Sequence, residues 1–237
     1  MSSSRSTVPE ILDQLEAHYG PQTPNWPVDP YLFIVWWHCG YPASDAACIR
    51  GWEALNNEVG TGLEQILAAT PAKLAHALKP GGMVPELRAM RLKEIAARLK
   101  DEFGGDVRSG LVGPVSDVRK KLKKFPNIAD PGADRILLFA EIAPLAAVPS
   151  NCPHVLVRIR SGQERENYGV TYREAQEAIA AGVPEKFSAR QRAFLLLKRH
   201  GQELCKRTKP KCEQCPVSAD CAYFSGKKRG RASRIRG

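Results

Sequence analysis

Four cysteines close to the end of the chain have the residue type and spacing of a metal site. Intervals of six, two and five residues separate Cys205, Cys212, Cys215 and Cys221. Thiolates are the usual ligands of iron–sulfur clusters, and a cubane cluster needs four of them around one small volume. A structural zinc ion held by four cysteines is the alternative, but such sites usually pair two CxxC knuckles. This segment has a single CxxC, which favours a [4Fe-4S] cluster over zinc.

The residues around these cysteines suit a wrapping loop. The apolar spacing of 189–202 predicts a helix that ends just before the first cysteine. Gly201, Pro210 and Pro216 favour a turning path for the chain that follows. We therefore expect the first thiolate to leave a helix end and the next three to wrap around the metal group.

Hydrophobic spacing of the helical kind recurs along the rest of the chain. It predicts further helices over 6–19, 31–39, 46–56, 63–69, 71–78, 85–103, 116–124, 133–140 and 172–180. The segment 154–159 alternates like a strand, but Pro153 suits the first turn of a helix, and Ser150 or Asn151 can cap it. We assign a helix there as well, so the predicted fold class is all-α.

Composition and charge limit the class of protein. The 237 residues can bury one substantial core or two smaller lobes. No apolar run approaches the roughly 20 residues that span a bilayer, and the polar first residues do not resemble a signal peptide. Lys and Arg outnumber Asp and Glu by 35 to 25, and the net charge of +10 favours a polyanionic partner. We expect a cytoplasmic protein with reduced cysteines and no membrane partner.

The cysteine spacing resembles the iron–sulfur loop of the endonuclease III family of helix-hairpin-helix DNA glycosylases. Leu197, His200 and Gly201 match the family's approach to its first cysteine, and Tyr223 follows the last. The resemblance, over about 30–223, implies an all-α, two-lobed endonuclease III-like fold. A six-helix barrel lobe would occupy 26–140, with the helix-hairpin-helix at about 116–140. A helical iron–sulfur lobe would combine 1–25 with 141–224, and the basic segment 225–237 would be a disordered tail.

The hairpin of this family has a counterpart in 125–134, FPNIADPGAD. Such a hairpin directs backbone N–H groups and a helix N-terminus at a DNA phosphate. Asn127 replaces the first glycine and can adopt the same left-handed backbone, whereas Ala129 replaces the second and leaves less room for phosphate. The predicted DNA contacts are Asn127, Ala129, Gly132, Lys120, Lys121, Lys123, Lys124 and Tyr41. Tyr41 follows the apolar helix 31–39, where it can stack on a base, wedge into the duplex or pack on its own lobe.

Proline occupies both positions at which the family carries a catalytic side chain. The lysine that forms a Schiff base in bifunctional members aligns with Pro131, and the aspartate of monofunctional members aligns with Pro149. Proline has neither an amine nor a carboxylate, so the usual chemistry is absent from these positions. Asp130 and Asp134 are the acids nearest the hairpin and are the candidate general bases.

Three functions are compatible with these features. The first is a DNA glycosylase of non-standard mechanism, without Schiff-base lyase chemistry at the usual position, that flips its target base out of the duplex. The second is a catalytically inactive iron–sulfur protein that binds DNA or a DNA lesion. The third is a redox or structural iron–sulfur protein that does not bind nucleic acid. For the first two we expect a monomer with a [4Fe-4S] cluster, double-stranded DNA with or without damage as the partner, and a bacterial-type, nucleoid-associated location in the cytoplasm.

Overall fold

The computed structural model describes residues 6–226 and consists of α-helices joined by turns and loops. Two 3₁₀ turns, Lys79–Gly81 and Cys212–Gln214, accompany them. Residues 6–226 contain no β-strand, which confirms the all-α fold class. The helices are α1 (Val8–Tyr19), α2 (Pro30–His38), α3 (Asp45–Glu58), α4 (Leu63–Ala68), α5 (Pro71–Leu78), α6 (Pro85–Phe103), α7 (Val107–Gly110), α8 (Val115–Leu122), α9 (Asp130–Phe139), α10 (His154–Ser161), α11 (Tyr168–Gly182) and α12 (Phe187–Glu203).

The chain divides into two compact units. One comprises Pro24–Ile142 and contains α2–α9, and the other comprises the described parts of Met1–Thr23 and Ala143–Gly237 and contains α1 and α10–α12. Eight helices occupy the first unit, where the resemblance implies six. Two of them are short, because α4 has six residues and α7 has four, and each of the others has at least eight.

Side-chain caps determine where several helices begin. In α1 the Thr7 hydroxyl caps the Glu10 amide, and the Glu10 carboxylate accepts the Thr7 N–H at 2.6 Å, which is a reciprocal capping box. Asn167 accepts the Val170 N–H at 3.2 Å, so α11 starts four residues before the predicted position 172. The short helix α7, which hydrophobic spacing does not predict, begins because Asp106 caps two amides of its first turn.

Proline shapes two other helix starts. The structure confirms a helix at α10, but Pro153 itself occupies the N-cap position without a side-chain cap, so the predicted capping by Ser150 or Asn151 is wrong. Pro131 lies in the first turn of α9, where its missing N–H costs no intrahelical bond. For this reason α9 begins at Asp130, three residues before the predicted position 133.

The unit Pro24–Ile142 is built around aromatic side chains of α2. Trp36 and Phe33 are buried there, and Trp26 packs edge-on against Phe139 at a centroid distance of 5.2 Å. The Arg135 guanidinium lies 3.8 Å from the centre of the Trp26 ring, and burial lowers its pKa to about 10. Arg135 therefore stays charged at neutral pH, and the aromatic faces stabilise the buried cation.

The other unit has a separate aliphatic core. Its buried residues come from α1, α10, α11 and α12 and include Leu12, Leu15, Val155, Ile179 and Leu196. The side chains of Cys205 and Cys215 pack against the edge of this core. The cysteine segment is therefore attached to a packed helical base.

The predicted basic tail, 225–237, lies outside the described residues apart from Ser225 and Gly226. Among the described helices, none combines the length and the apolar character that crossing a bilayer requires.

Candidate functional site

The segment after α12 folds back on itself and brings the four cysteines to one cavity. The Cys205 N–H donates to the His200 carbonyl at 2.8 Å, and the Lys211 N–H donates to the Leu204 carbonyl at 2.9 Å. A 3₁₀ turn at Cys212–Gln214 then leads to the third cysteine. One cavity is lined by all four cysteines: Cys205, Cys212, Cys215 and Cys221. The structure thus brings together the four residues predicted to bind metal.

Burial affects the ionisation of two of the four cysteines. Burial raises the pKa of the Cys205 thiol to about 11 and that of the Cys215 thiol to about 12. The other nearby cysteines raise both of these pKa values further. No three His, Cys, Asp or Glu side chains of the described chain are arranged to hold a single metal ion.

Arg158 of α10 fastens the cysteine loop to the helical base. Its guanidinium is buried and donates to the carbonyl oxygens of Lys206 and Arg207, each at 2.9 Å. It also forms an ion pair with Glu164 and lies 4.8 Å from the centre of the Tyr223 ring. The loop between the first two cysteines therefore has a fixed path that does not depend on the cysteines alone.

The predicted hairpin is the connection between α8 and α9. Phe125 and Ile128 are buried and anchor it, while Asn127 between them has a φ of 55°. This backbone is the left-handed conformation that a glycine would supply, and asparagine tolerates it better than most residues. Ala129 occupies the N-cap of α9 in an extended conformation and provides no side-chain cap. The first-turn amides of α9 are therefore not capped by the side chain at the N-cap position.

The four lysines around the hairpin all have partners within the chain. Lys120 pairs with Asp117 at 3.2 Å, Lys124 pairs with Glu102 at 2.9 Å, and Lys123 pairs with Asp130 at 2.8 Å. Lys121 instead donates to the Gly110 carbonyl at 2.8 Å. Exposed ion pairs contribute little free energy, so the three paired lysines can exchange a carboxylate for a phosphate at small cost.

The two candidate bases have different surroundings. The side chain of Asp134 is 1% exposed and accepts a hydrogen bond from Arg119 Nε at 2.6 Å. It is held inside its own unit, which removes it as a base that must reach a substrate. The side chain of Asp130 is 60% exposed and lies at the first residue of α9. Pro131 follows it in the same turn, and Pro149 is buried in the connection before α10.

Tyr41 lies in the turn after α2 and stacks on Trp37, with a centroid distance of 4.6 Å and an interplanar angle of 28°. The residue is partly exposed. Of the three roles predicted for it, packing on its own unit is therefore observed for one face of the ring. A role against DNA requires the other face or the hydroxyl group.

The segment 82–84 is a candidate contact surface that sequence reasoning missed. Met83 and Val84 are 88% and 56% exposed, and Val84 has a φ of 54°. Two apolar side chains are thus presented to solvent by a strained turn ahead of α6. The sequence feature that indicates this surface is a pair of apolar residues between Gly82 and Pro85, because glycine and proline mark a turn and turns usually carry polar residues.

The end of α2 joins these three segments within one unit. Arg88 Nη1 donates to the Cys39 carbonyl and Nη2 donates to the Gly82 carbonyl, so the segment 82–84 is tied to the start of the Tyr41 turn. One residue earlier, His38 Nδ1 lies 2.8 Å from the Ile34 carbonyl, and Nε2 lies 3.3 Å from Asn127 Nδ2. The Tyr41 turn, the segment 82–84 and the hairpin therefore share one support.

Similarity to curated proteins extends over most of the chain. Endonuclease III of Thermotoga maritima is 24% identical over 167 residues, which cover 70% of this chain and 71% of that protein. The thymine/uracil-DNA glycosylase of Methanothermobacter thermautotrophicus is 27% identical over 164 residues, 68% of this chain and 67% of its own. No protein-family model matches the chain.

The fold is shared with solved structures. A trapped covalent intermediate of endonuclease III with DNA superposes with a TM-score of 0.73 at 17% identity, over 93% of this chain and 97% of the other. This chain therefore has the endonuclease III fold. The structure of a thermostable thymine-DNA glycosylase, with a TM-score of 0.71 at 21% identity, covers 92% of this chain and 95% of its own length.

On this fold the chain carries the two predicted segments and one departure from the pattern that the resemblance implies. The cysteine loop and the hairpin are both present as folded segments. The departure is chemical, because positions 131 and 149 carry proline and the buried Asp134 is engaged with Arg119.

Proposed function

We propose that this chain is a DNA-repair-type protein that binds duplex DNA and releases a base as a glycosylase, without Schiff-base lyase chemistry at position 131. The observation that carries the proposal is the fold shared over 93% of the chain with endonuclease III bound covalently to DNA. The similarity to a thymine/uracil-DNA glycosylase supports base release as the reaction class. The net charge of +10 suits a phosphate backbone.

The hairpin is the proposed phosphate contact. Asn127 turns the chain with a positive φ ahead of α9, and the first-turn amides with the helix dipole attract an anion. Gly132 lies in that first turn and adds no side chain. Lys120, Lys123 and Lys124 supply mobile positive charge beside it, because each is held only by an exposed ion pair.

The turn 82–84 and Tyr41 are the proposed contacts with the bases. Removing a base from the stack leaves a gap that an apolar side chain can fill. Met83 is apolar, unbranched and 88% exposed, so it can enter such a gap without leaving a cavity in its own unit. Tyr41 is stacked on Trp37 and offers a rigid aromatic surface in the same unit.

Asp130 is the proposed general base. Hydrolysis of the glycosidic bond transfers a water oxygen to C1′ while the base departs with the bonding electrons, and a carboxylate takes up the proton of the water. That carboxylate must be accessible to solvent. Asp130 meets this condition, since its side chain is 60% exposed at the start of α9. No imine forms in this reaction because no amine takes part.

The four cysteines are the proposed ligands of a [4Fe-4S] cluster. The donor set consists of thiols that line one cavity, and the single CxxC in their spacing favours a cluster over a zinc ion. When bound, the cluster would supply covalent links among the parts of the loop and a centre that can exchange one electron. Arg158 and His154 position the loop by contacting the carbonyl groups of Lys206, Arg207 and Cys205.

A catalytically inactive DNA- or lesion-binding iron–sulfur protein is the second candidate. The specific observation in its favour is that Pro131, Pro149 and the ion-paired Asp134 leave no catalytic side chain at a standard position. Under this alternative the hairpin and the cluster are retained for binding alone.

Incubation with duplex oligonucleotides separates the two candidates. The panel should carry uracil, thymine mismatches, oxidised bases, alkylated bases and abasic sites, and base release is measured after alkaline cleavage. Release of a base from at least one substrate, with no adduct trapped by borohydride, is the result expected for the glycosylase. Asp130→Asn should then lose most of the rate, while Asp117→Asn, which removes another exposed and lysine-paired carboxylate, should keep it. Tight binding without release from any substrate would refute the glycosylase and support the second candidate.

A further inference from the structure

A hydrogen-bonded pair of side chains leads from the N-terminal helix to the cysteine cavity. The hydroxyl oxygen of Tyr19, the last residue of α1, lies 2.9 Å from His200 Nδ1. On the opposite side of the imidazole, Nε2 lies 3.5 Å from the Cys215 sulfur. His200 is buried on α12, so this path consists of two protein hydrogen bonds in series.

The proton positions in this path follow from the ligand chemistry. A cysteine bound to iron is a thiolate and carries no proton, so a hydrogen bond to its sulfur must come from the Nε2–H of His200. A neutral imidazole then has its acceptor at Nδ1, and the Tyr19 hydroxyl donates to it. Tyr19 therefore selects the tautomer in which His200 faces the sulfur with its N–H group.

The other cysteine sulfurs have different neighbours. The Cys221 sulfur lies 3.8 Å from the Arg158 carbonyl, which can accept a hydrogen bond but cannot donate one. Cys205 is close to the Arg158 guanidinium, whose other contacts hold the loop together. Cys215 thus differs in having a neutral hydrogen-bond donor, His200, whose tautomer is set by Tyr19 of α1.

We propose that Tyr19 and His200 form a relay that directs the Nε2–H group of His200 at the Cys215 sulfur and thereby raises the reduction potential of the cluster. This inference rests on the proposed [4Fe-4S] site. A hydrogen bond to a ligand sulfur withdraws electron density and stabilises the reduced, more negative form of the cluster more than the oxidised form. Tyr19 and His200 are positioning residues in this role, since neither binds iron.

The test compares the potentials of intact holoproteins at an electrode, where one electron is exchanged with the cluster. Tyr19→Phe keeps the ring and removes the hydroxyl, so the tautomer of His200 is no longer selected. We expect its potential to move to a more negative value while the iron and sulfide contents stay at wild-type levels. The bands of the iron–cysteine stretch in the resonance Raman spectrum should shift with it.

Two further variants sharpen the result. Tyr168→Phe is the matched control, because it removes a tyrosine hydroxyl of the same unit that donates to the Ser150 carbonyl at 3.0 Å. It should leave the potential unchanged. His200→Gln keeps an amide donor toward Cys215 without a tautomer to select, so adding Tyr19→Phe to it should cause no further change.

Each outcome has a defined meaning. A wild-type potential in a fully loaded Tyr19→Phe protein overturns the relay, and so does an equal shift in Tyr168→Phe. A colourless wild-type protein that contains zinc overturns the proposed cluster, and the relay with it. Iron content and visible absorption distinguish these failures, because they are measured before any potential.

Discussion

Acid should destabilise the unit Pro24–Ile142 through His38. Burial lowers the pKa of this histidine from 6.5 to about 4, the charge of Arg91 acts in the same direction, and the hydrogen bond to the Ile34 carbonyl opposes both. Between these two pKa values the unfolded chain binds a proton that the folded chain does not. The contribution of His38 to folding stability is therefore fully present above pH 6.5 and is lost as the pH decreases toward 4.

The size of the effect follows from the two pKa values. Each pH unit between them costs about 1.4 kcal/mol, so the loss at pH 5 is about 2 kcal/mol. His38→Gln removes the titrating group and keeps a polar side chain that can face Asn127. At pH 7 this variant should be less stable than the wild type by about 1 kcal/mol, because two hydrogen bonds of a buried side chain change. At pH 5 the difference should vanish or reverse.

Urea unfolding followed by tryptophan fluorescence measures this stability. The signal reports the correct unit, because all four tryptophans lie between residues 24 and 142: Trp26, Trp36, Trp37 and Trp52. His76→Gln is the control, since its side chain is 68% exposed. A stability difference between wild type and His38→Gln that stays constant from pH 7 to pH 5 would refute the reasoning. The carboxylates that also titrate are common to both proteins and cancel.

Three other changes have expected outcomes. Asp134→Asn breaks the ion pair of a buried carboxylate and should cost about 2–3 kcal/mol in urea unfolding, whereas Asp117→Asn at an exposed pair should cost less than about 1. Lys123→Ala should lower the slope of log affinity for duplex DNA against log salt by about 0.9, and an unchanged slope would exclude a phosphate contact. Met83→Ser should change stability by less than about 0.5 kcal/mol because the side chain is exposed, yet reduce the fluorescence of a 2-aminopurine placed at the flipped position; equal fluorescence would rule out insertion.

Local features of the sequence predicted the helices and the fold class. Apolar spacing predicts α6 at its observed limits of Pro85–Phe103. Both signals are local, because the apolar face repeats every three to four residues and Gly104 directly follows the last turn. The cysteine spacing likewise predicts the chemical type of site, because its ligands lie within one loop. The errors in helix limits occurred where a short-range cap or proline outweighed hydrophobic spacing, as at Asn167 and Pro131.

Contacts between distant residues required the folded chain. The sequence presents Asp134 as one more acid near the hairpin, and only the position of Arg119 across from it shows that the carboxylate is engaged. Tyr19 and His200 are separated by 181 positions, and no local pattern connects them. Met83 is apolar and would be expected inside, whereas the turn after Gly82 leaves it in solvent. Side-chain type and short-range backbone preference act within a few residues, so the sequence by itself determines most of the helices and predicts a ligand set. Burial, pairing and exposure depend on which helices pack together, and the tertiary structure alone decides them.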